Sequence, residues 1–564
     1  MNPDRLLTHF ERLAESPDAI PRLRRFVLDL AVRGRLVPQD PNDEPASELL
    51  KRITAEKARL AKGRRPGTFA PLLVDSDDEA PFDLPGGWMW VRLGNLVTKL
   101  TDGTHHSPPN GPTGEFKYVT AKNIKNNGVS LAHVTYVSRQ VHEEIFSRCD
   151  PAKGDVLYIK DGATTGVVTI NDLDEPFSML SSVALIKLPT CLFNRLIVEF
   201  LRSPFFYDQM RGFMKGAAIT RVTLKRMAPT LVPLPPLPEQ HRIVAKVDEL
   251  MALWDRLESA RNEREDRRDR LVSASLHRLS QPSDEDGDDA FRADARFYFN
   301  HLPRLTTRPD HIKQLRQTIL SLAVRGRLVP QDPHEEPASE LLKCERRTIE
   351  ADENVPFSIP RSWLWVRVGT IADTRLGKML DKSKNSGTPR RYIRNINVRW
   401  FDFDLTDVLM MRFEDSELEE FTLREGDVIV CEGGEPGRAA VWDSREDKIY
   451  FQKALHRMRF PLAVDPYYFV NVLRESADSK RLATYFTGTG IKHLTGKGLS
   501  AFLVPLPPLA EQKRIVSKVN ELMALCDRLE ASLAEAETDS RRLLEAVLHE
   551  ALTPESDYTL EAVA

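Results

Sequence analysis

Apolar residues recur along two stretches of this chain at alternating spacings of four and three. After ProLeuProProLeuProGluGln come Ile243, Val247, Leu250, Trp254 and Leu257, which share one stripe of a helix. The second stretch holds the alternation longer, through Ile515, Val519, Leu522, Cys526, Leu529, Leu533, Ala536, Ser540, Leu543 and Val547. The spacing predicts two long coiled-coil helices, one over about 240 to 279 and one reaching about His549. In the first, the seam positions after Leu257 become Arg261, Arg264 and Arg268, so the helix there loosens, changes phase or meets a polar partner. Prolines before each helix (Pro233, Pro235, Pro236, Pro238; Pro505, Pro507, Pro508) predict a stiff extended elbow, and their repeated place at a helix start favours that over a PxxP ligand. Between the helical parts the pattern changes. Runs at 155–159, 166–170 and 427–431 are short, β-branched and bounded by Gly, Asp or Pro, which predicts strands. One apparent helix follows in each region, near Asn194 to Met210 and near Tyr467 to Thr484. Two mixed α/β globules result, each with a curved or highly twisted sheet.

Internal repeats organise these elements. Residues 30–51 and 322–343 match at 20 of 22 positions, and residues 231–258 and 503–530 at 23 of 28. The segments between, about 88–230 and 363–502, share only a skeleton. Trp88MetTrpVal answers Trp363LeuTrpVal, Gly94 answers Gly369, and GlyAspVal at 154–156 answers GlyAspVal at 426–428. Near-identical scaffold pieces around two divergent inserts suit one kind of task performed twice on different targets. The N-terminal block repeats the part that follows the central helix, so the chain is cyclically arranged and pseudo-twofold, with the N-terminal piece completing the unit begun by the C-terminal helix.

At 564 residues the chain has room for three to four modules. Its 41% apolar and 29% charged residues exclude a collagenous or wholly disordered protein. Five scattered cysteines (149, 191, 344, 431, 526) without a CxxC pair exclude a disulfide framework or zinc ribbon and fit a reducing cytoplasm. No apolar stretch approaches the roughly 20 residues of a membrane span, so no membrane partner is expected and the mature protein is expected to be the whole chain. The net charge of −3 hides local asymmetry. Residues 88–230 carry 17 Lys+Arg against 12 Asp+Glu, and Arg375 to Arg399 hold eight basic residues against Asp381 alone. That second stretch could lie against phosphates. The segment 280–296 is acidic and rich in Gly, Pro and Ser, the composition of an exposed linker.

Catalytic patterns are mostly missing. Gly496Lys497 has Ile491 where a phosphate-binding loop needs its first Gly. Phe486ThrGlyThrGly490 imitates a methyl-donor loop, yet no Asp/Asn-Pro-Pro-aromatic run follows, and a turn explains it better. Asp155 and Lys160 would point to opposite faces of a strand, against a nuclease site. The adjacent pair His105 and His106 lacks a spaced partner, which leaves a polar loop rather than a metal site. No metal site and no catalytic residue is assigned.

With repeats, heptads and divergent inserts together, the chain resembles the specificity subunit of type I restriction-modification systems. ProLeuProProLeu followed by GluGln and ArgIleVal, at 233–244 and 505–516, is similar to that family's boundary between a target recognition domain and a conserved helix. LeuAlaValArgGlyArgLeuValProGlnAspPro looks like its conserved scaffold segment, and AspGlyThrHis105 like a recurrent opening loop of its recognition domains. The resemblance spans all but the acidic linker and the last dozen residues. It implies an α+β, non-catalytic platform for methylation of DNA and defence against foreign DNA: two recognition domains each read half of a split double-stranded DNA target, and long antiparallel helices set the gap. Two methyltransferase subunits would dock on the scaffold, and two restriction subunits can join. S-adenosylmethionine, Mg and ATP would belong to those partners, with no cofactor in this chain. The matching divisions are a helical segment 1–62, a recognition domain 63–232, a central region 233–350, a second recognition domain 351–504 and a final helix 505–564. A self-contained DNA methyltransferase and a bivalent protein adaptor remain the alternatives.

DNA-contact candidates in the first domain are Thr101, Asp102, Thr104, His105, Lys122, Asn123, Lys125 and Asn126. In the second they are Lys378, Lys382, Lys384, Arg390, Arg391, Arg394 and Arg399. Arg can bridge guanine O6 and N7, and Asn can pair with adenine N6 and N7; the competing reading is a solvated basic face. Trp88, Trp90, Trp363 and Trp365 could stack on bases, but their equivalent places at both domain starts favour core packing. The helix seams are expected to pack on each other, leaving neighbouring exposed positions to a partner.

Overall fold

A computed structural model describes residues 18–61, 80–211, 221–280, 288–340 and 355–552, apart from positions 382, 384, 447, 462 and 463. The chain forms two compact units: Met1–Asn262 with Thr538–Ala564, and Glu263–Glu537. No helix among the described residues is long and apolar enough to cross a membrane.

In unit 1 the strand Met89–Arg92 pairs antiparallel with Leu231–Leu234, setting Trp90 opposite Pro233. Unit 2 repeats the pair with Leu364–Arg367 and Leu503–Leu506, where Trp365 faces Pro505. The expected proline elbow is therefore half strand. In a two-stranded ribbon each strand has a free edge, so a proline without an N–H is tolerated there. The long helices then begin at Leu237 and Leu509, and Pro238 sits in a first turn whose N–H would be unpaired in any case.

The two inserts, so different in sequence, share one topology. Unit 1 has a four-stranded antiparallel sheet ordered Lys99–Asp102, Val183–Lys187, Val156–Ile159, Val168–Ile170. A three-stranded sheet centred on Phe116–Val119 and a hairpin, Ile124–Lys125 with Gly128–Val129, complete it. Unit 2 matches strand for strand: Asp373–Leu376, Leu455–Arg459, Val428–Cys431 and Ala439–Val441 in the first sheet, Thr388–Ile393 central in the second, and the hairpin Val398–Arg399 with Asp402–Phe403. Each globule thus holds several small sheets where one curved sheet was expected, because turns at Ala121–Asn123 and Asn395–Asn397 interrupt the strands.

The insert helices are shorter than the periodicity suggested. Asn194–Arg202 stops at Ser203, just before Pro204, and a second helix, Pro204–Arg211, starts there, since the residue before proline avoids helical backbone. Pro466–Asp478 ends before Lys480, whose φ is +63°, and only a 3-10 turn follows. The linker also needs correction: Asp288–Asn300 is a helix, with Tyr298 fully buried, while 281–287 lie outside the described residues.

Both long helices contain 44 residues, about 66 Å at ~1.5 Å per residue. Each unit holds the beginning of one and the end of the other, the exchange expected of an antiparallel pair. Ile243, Val247 and Trp254 are buried, with Leu250 and Leu257 partly so. They pack on the repeated short helix Ala19–Val32 through Ile20, Leu23, Val27 and Ala31, and on Trp88. In unit 2, Ile515, Val519 and Cys526 are buried and Leu522 and Leu529 line the same core as Ile312, Leu315 and Ile319 of Pro309–Val324. The seam packs on the short repeat helix and also shares its core with the other long helix: Trp254 and Leu257 cluster with Leu548, and Cys526 with Val272, Leu276 and Leu279. Past the arginines the stripe changes phase. The next buried positions are Val272, Leu276 and Leu279, and Val272 follows Trp254 by five full turns, as Leu544 follows Cys526. Closure of the cycle is visible in unit 1: Ala19 packs on Leu544, and Arg22 pairs with Glu545 at 3.0 Å.

Candidate nucleic-acid interface

In each insert the first loop and the turn after the middle strand lie at one end of the four-stranded sheet and bring candidate residues there; Arg390 and Arg391 sit earlier on Thr388–Ile393. Gly103 and Gly377 begin the first loop there, and both must be glycine: a Cβ would fall 1.9 Å from the Met179 carbonyl oxygen or 2.2 Å from that of Gln452. The segment so closely approached links the loops together. In unit 1 the Ser181 amide donates to the Thr104 carbonyl at 2.8 Å and the Leu180 amide to Val119 at 3.1 Å. In unit 2 the Lys453 amide donates to Lys378 at 2.7 Å and the Gln452 amide to Ile393 at 3.2 Å. The first loop and the turn after the middle strand are thereby neighbours in both domains. Two pairs of candidates coincide here, Thr104 with Lys378 and Lys125 with Arg399, and the candidate Asn123 is matched by Asn397, which was not among them.

Asn123 and Asn397 are buried and build the turn. The Asn123 side chain accepts from the Thr120 amide at 3.1 Å and donates to Ser130 O at 3.0 Å, while Asn397 accepts from the Arg394 amide at 2.9 Å and donates to Asp404 O at 2.9 Å. Asn123 thus positions Lys122, Lys125 and Asn126, which are exposed. Asp102 and Thr104 are also turned inward. Asp102 accepts from Arg148 at 2.6 Å and pairs with Lys160 at 3.1 Å, and Lys160 is only 2% exposed. The exposed His105 lies 3.4 Å from the same carboxylate, and the half-buried Thr101 precedes it on the strand.

The basic stretch of unit 2 is largely neutralised within the fold. Arg391 pairs with Glu446 at 2.7 Å, Arg394 with Asp407 at 2.7 Å, Arg399 with Asp404 at 3.1 Å, and Lys378 with Glu417. Burial alone would raise the Glu417 pKa, yet hydrogen bonds from Lys378 and the Glu414 amide hold it below the usual range. Arg390 is half-buried on the middle strand, and Lys382 and Lys384 lie outside the described residues. The acids that answer these cations are absent from the stretch itself, so sequence counting overstated its positive face.

Three parts of this end escaped the sequence reading. One is the linking segment 179–181 and its counterpart 451–453. A second is the Gly-rich loop after the central strand, Lys160–Gly166 or Glu432–Gly437; aligning the two GlyAspVal motifs forward would have paired them. The third is the hairpin at 487–493, correctly expected to be a turn but placed at this same end. Thr487 and His493 exchange backbone hydrogen bonds at 2.9 and 3.0 Å, and the Leu494 amide donates to Glu432 at 2.8 Å. His456 donates Nε2–H to the Leu494 carbonyl at 2.9 Å, and burial holds that imidazole below its usual pKa, so it stays neutral. Phe401, at the turn of the 398–403 hairpin, has φ +67° and donates its amide to Ala439 at 3.1 Å. A bulky residue there costs about 1–2 kcal/mol of backbone strain, and unit 1 has Asn127 beside Gly128 at the corresponding turn.

The tryptophans belong to the core. Trp88, Trp363 and Trp365 are buried, and Trp90 and Trp365 stand edge-on to Phe82 and Phe357. Among the described residues, no cluster of His, Cys, Asp and Glu could hold a metal ion.

A family model described as the type I restriction modification DNA specificity domain matches residues 85–264 and again 366–537. The type I restriction enzyme EcoAI specificity subunit of Escherichia coli is 30% identical, with 94% of each chain covered. The EcoEI specificity subunit of the same species is 29% identical over 94% of each. A crystal structure of the HsdS subunit from Thermoanaerobacter tengcongensis is 20% identical, covers 84% of this chain and 98% of its own, and has a TM-score of 0.43.

Proposed function

This chain belongs to the type I restriction modification DNA specificity family, and on that premise we propose that it is the non-catalytic subunit that selects the DNA sequence for a type I restriction-modification complex. Each unit reads one half of a bipartite duplex target with the loops at its sheet end, and the long helices set the interval between halves. Two methyltransferase subunits dock on the repeated scaffold, and two restriction subunits can join them, in the cytoplasm. S-adenosylmethionine, Mg and ATP act on those partners.

One observation carries the reading: two globules of identical topology present different side chains at the same sheet end, on a scaffold repeated almost unchanged. A scaffold kept alike suits identical partners, while the altered loops suit different half-sites. The test is to exchange residues 88–230 for the equivalent domain of a relative and map methylated bases at single-base resolution. One half of the methylated sequence is expected to change. Alteration of both halves, or of neither, would overturn the assignment.

A further inference from the structure

The two sheet ends differ in chemistry. In unit 2, Met379 and Leu380 follow Gly377, Ile396 lies in the turn after the middle strand, Phe401 caps the hairpin and Ile491 tips the 487–493 hairpin; all five are exposed. The described counterparts in unit 1 are His105, His106, Lys122 and Asn127, every one polar and exposed. Ile491 is 73% exposed, more than any other large apolar side chain among the described residues. Its loop is rigid. Gly488 has φ +97°, a Cβ there would lie 2.3 Å from the Ile491 carbonyl oxygen, and Lys492 Nζ donates back to Gly488 O at 2.9 Å. His493 on the same hairpin abuts Gly433, whose added Cβ would meet the imidazole at 3.1 Å. The turn projects Ile491 away from the fold into solvent.

Exposed apolar tips would invite a protein partner were it not for the cations set among them. Lys453 and Lys492 are exposed beside these loops, and neither is in an ion pair among the described residues. Lysines suit phosphates, and the apolar feature that base edges offer in the major groove is the thymine C5 methyl. We infer that unit 2 reads its half-site through thymine methyl groups, with Ile491 the leading contact, whereas unit 1 reads by hydrogen bonds. This rests on the proposed function and specifies the chemistry of one half.

The experiment uses the full chain bound to its methyltransferase subunits and a random duplex pool made with either dTTP or dUTP, which differ only in that methyl. Selection from the dTTP pool is expected to return a split motif with thymines in the half that survives exchange of residues 88–230. In the dUTP pool, enrichment of that half should fall about fourfold for each contacted methyl, as expected for one buried carbon, and the other half should persist. Ile491→Ala should reproduce the loss with dTTP and show little further loss with dUTP; being exposed, the position tolerates the change. A split motif equally strong in both pools, or lacking thymine in that half, overturns the methyl reading alone. Absence of any split motif overturns the DNA-reading function itself.

Discussion

Glu511 accepts the indole N–H of Trp363 at 2.9 Å inside unit 2, joining the residue just before the first strand of the recognition domain to the first turn of the long helix. Trp88 and Glu239 repeat the bond at 2.9 Å in unit 1. Burial raises the pKa of Glu511, against the lowering effect of hydrogen bonds from Trp363 and Gln331. The folded chain therefore holds this proton to a higher pH than the unfolded chain, and the group's contribution to stability falls as pH rises from about 4.5. Glu511→Gln should flatten that decline, measured as denaturation midpoints from about pH 4.5 to 7. Trp363→Phe should cost about 1.5–3 kcal/mol, because the acceptor stays buried with one donor fewer.

A second clasp lies one residue further along. Gln512 is fully buried; it donates to Pro507 O at 2.9 Å and accepts from the Asp465 amide at 2.7 Å. Gln240 bonds Pro235 and Phe193 in the same way. Gln512→Ala leaves two interior groups unpaired and should cost about 2–4 kcal/mol by urea unfolding. Gln512→Glu should be no better tolerated, since it removes the donor and adds a buried charge.

Asp102 and Lys160 separate support from contact in the first domain. Lys160→Met leaves Asp102 paired with Arg148, whereas Asp102→Ala leaves an ammonium in the interior without its carboxylate. The second change is expected to be the more destabilising, by about 3–5 kcal/mol from the parent. Equal costs in thermal or urea unfolding would show that Arg148 contributes nothing to holding Asp102.

Deleting residues 538–564 should expose the apolar face of Ala19–Val32 that meets Leu544 and Leu548. Amide exchange should then accelerate in 19–32 and around Trp254, while 309–324 in unit 2 keeps its protection. Acceleration in both helices alike would deny the division into units.

The scaffold was legible because it is written twice: the heptad positions, the paired tryptophans and the PLPPL runs fall at matching places, and their burial follows directly. Recognition ends were harder. Arg391, Arg394 and Arg399 look free until the fold brings Glu446, Asp407 and Asp404 beside them, and an exposed Asn in sequence, Asn123, proves to be the strut of its turn. Loop position depends on strand pairing across distant sequence, as when Gln452 bridges toward Lys378 and Ile393; local composition carries no trace of that. Ile491 was passed over since an exposed isoleucine is visible only once its hairpin is placed.

The bond between Arg22 and Glu545 joins residues 523 positions apart, and it sets an order on synthesis. A ribosome adding about 5–20 residues per second needs roughly half a minute to nearly two minutes to cover that distance. Unit 2, continuous from Glu263 to Glu537, has every segment it needs before the ribosome finishes. The part made first is thus the part completed last, its short helix waiting beside a half-built groove until the final turns emerge. A stop after Glu537 would strike unit 1 and spare unit 2.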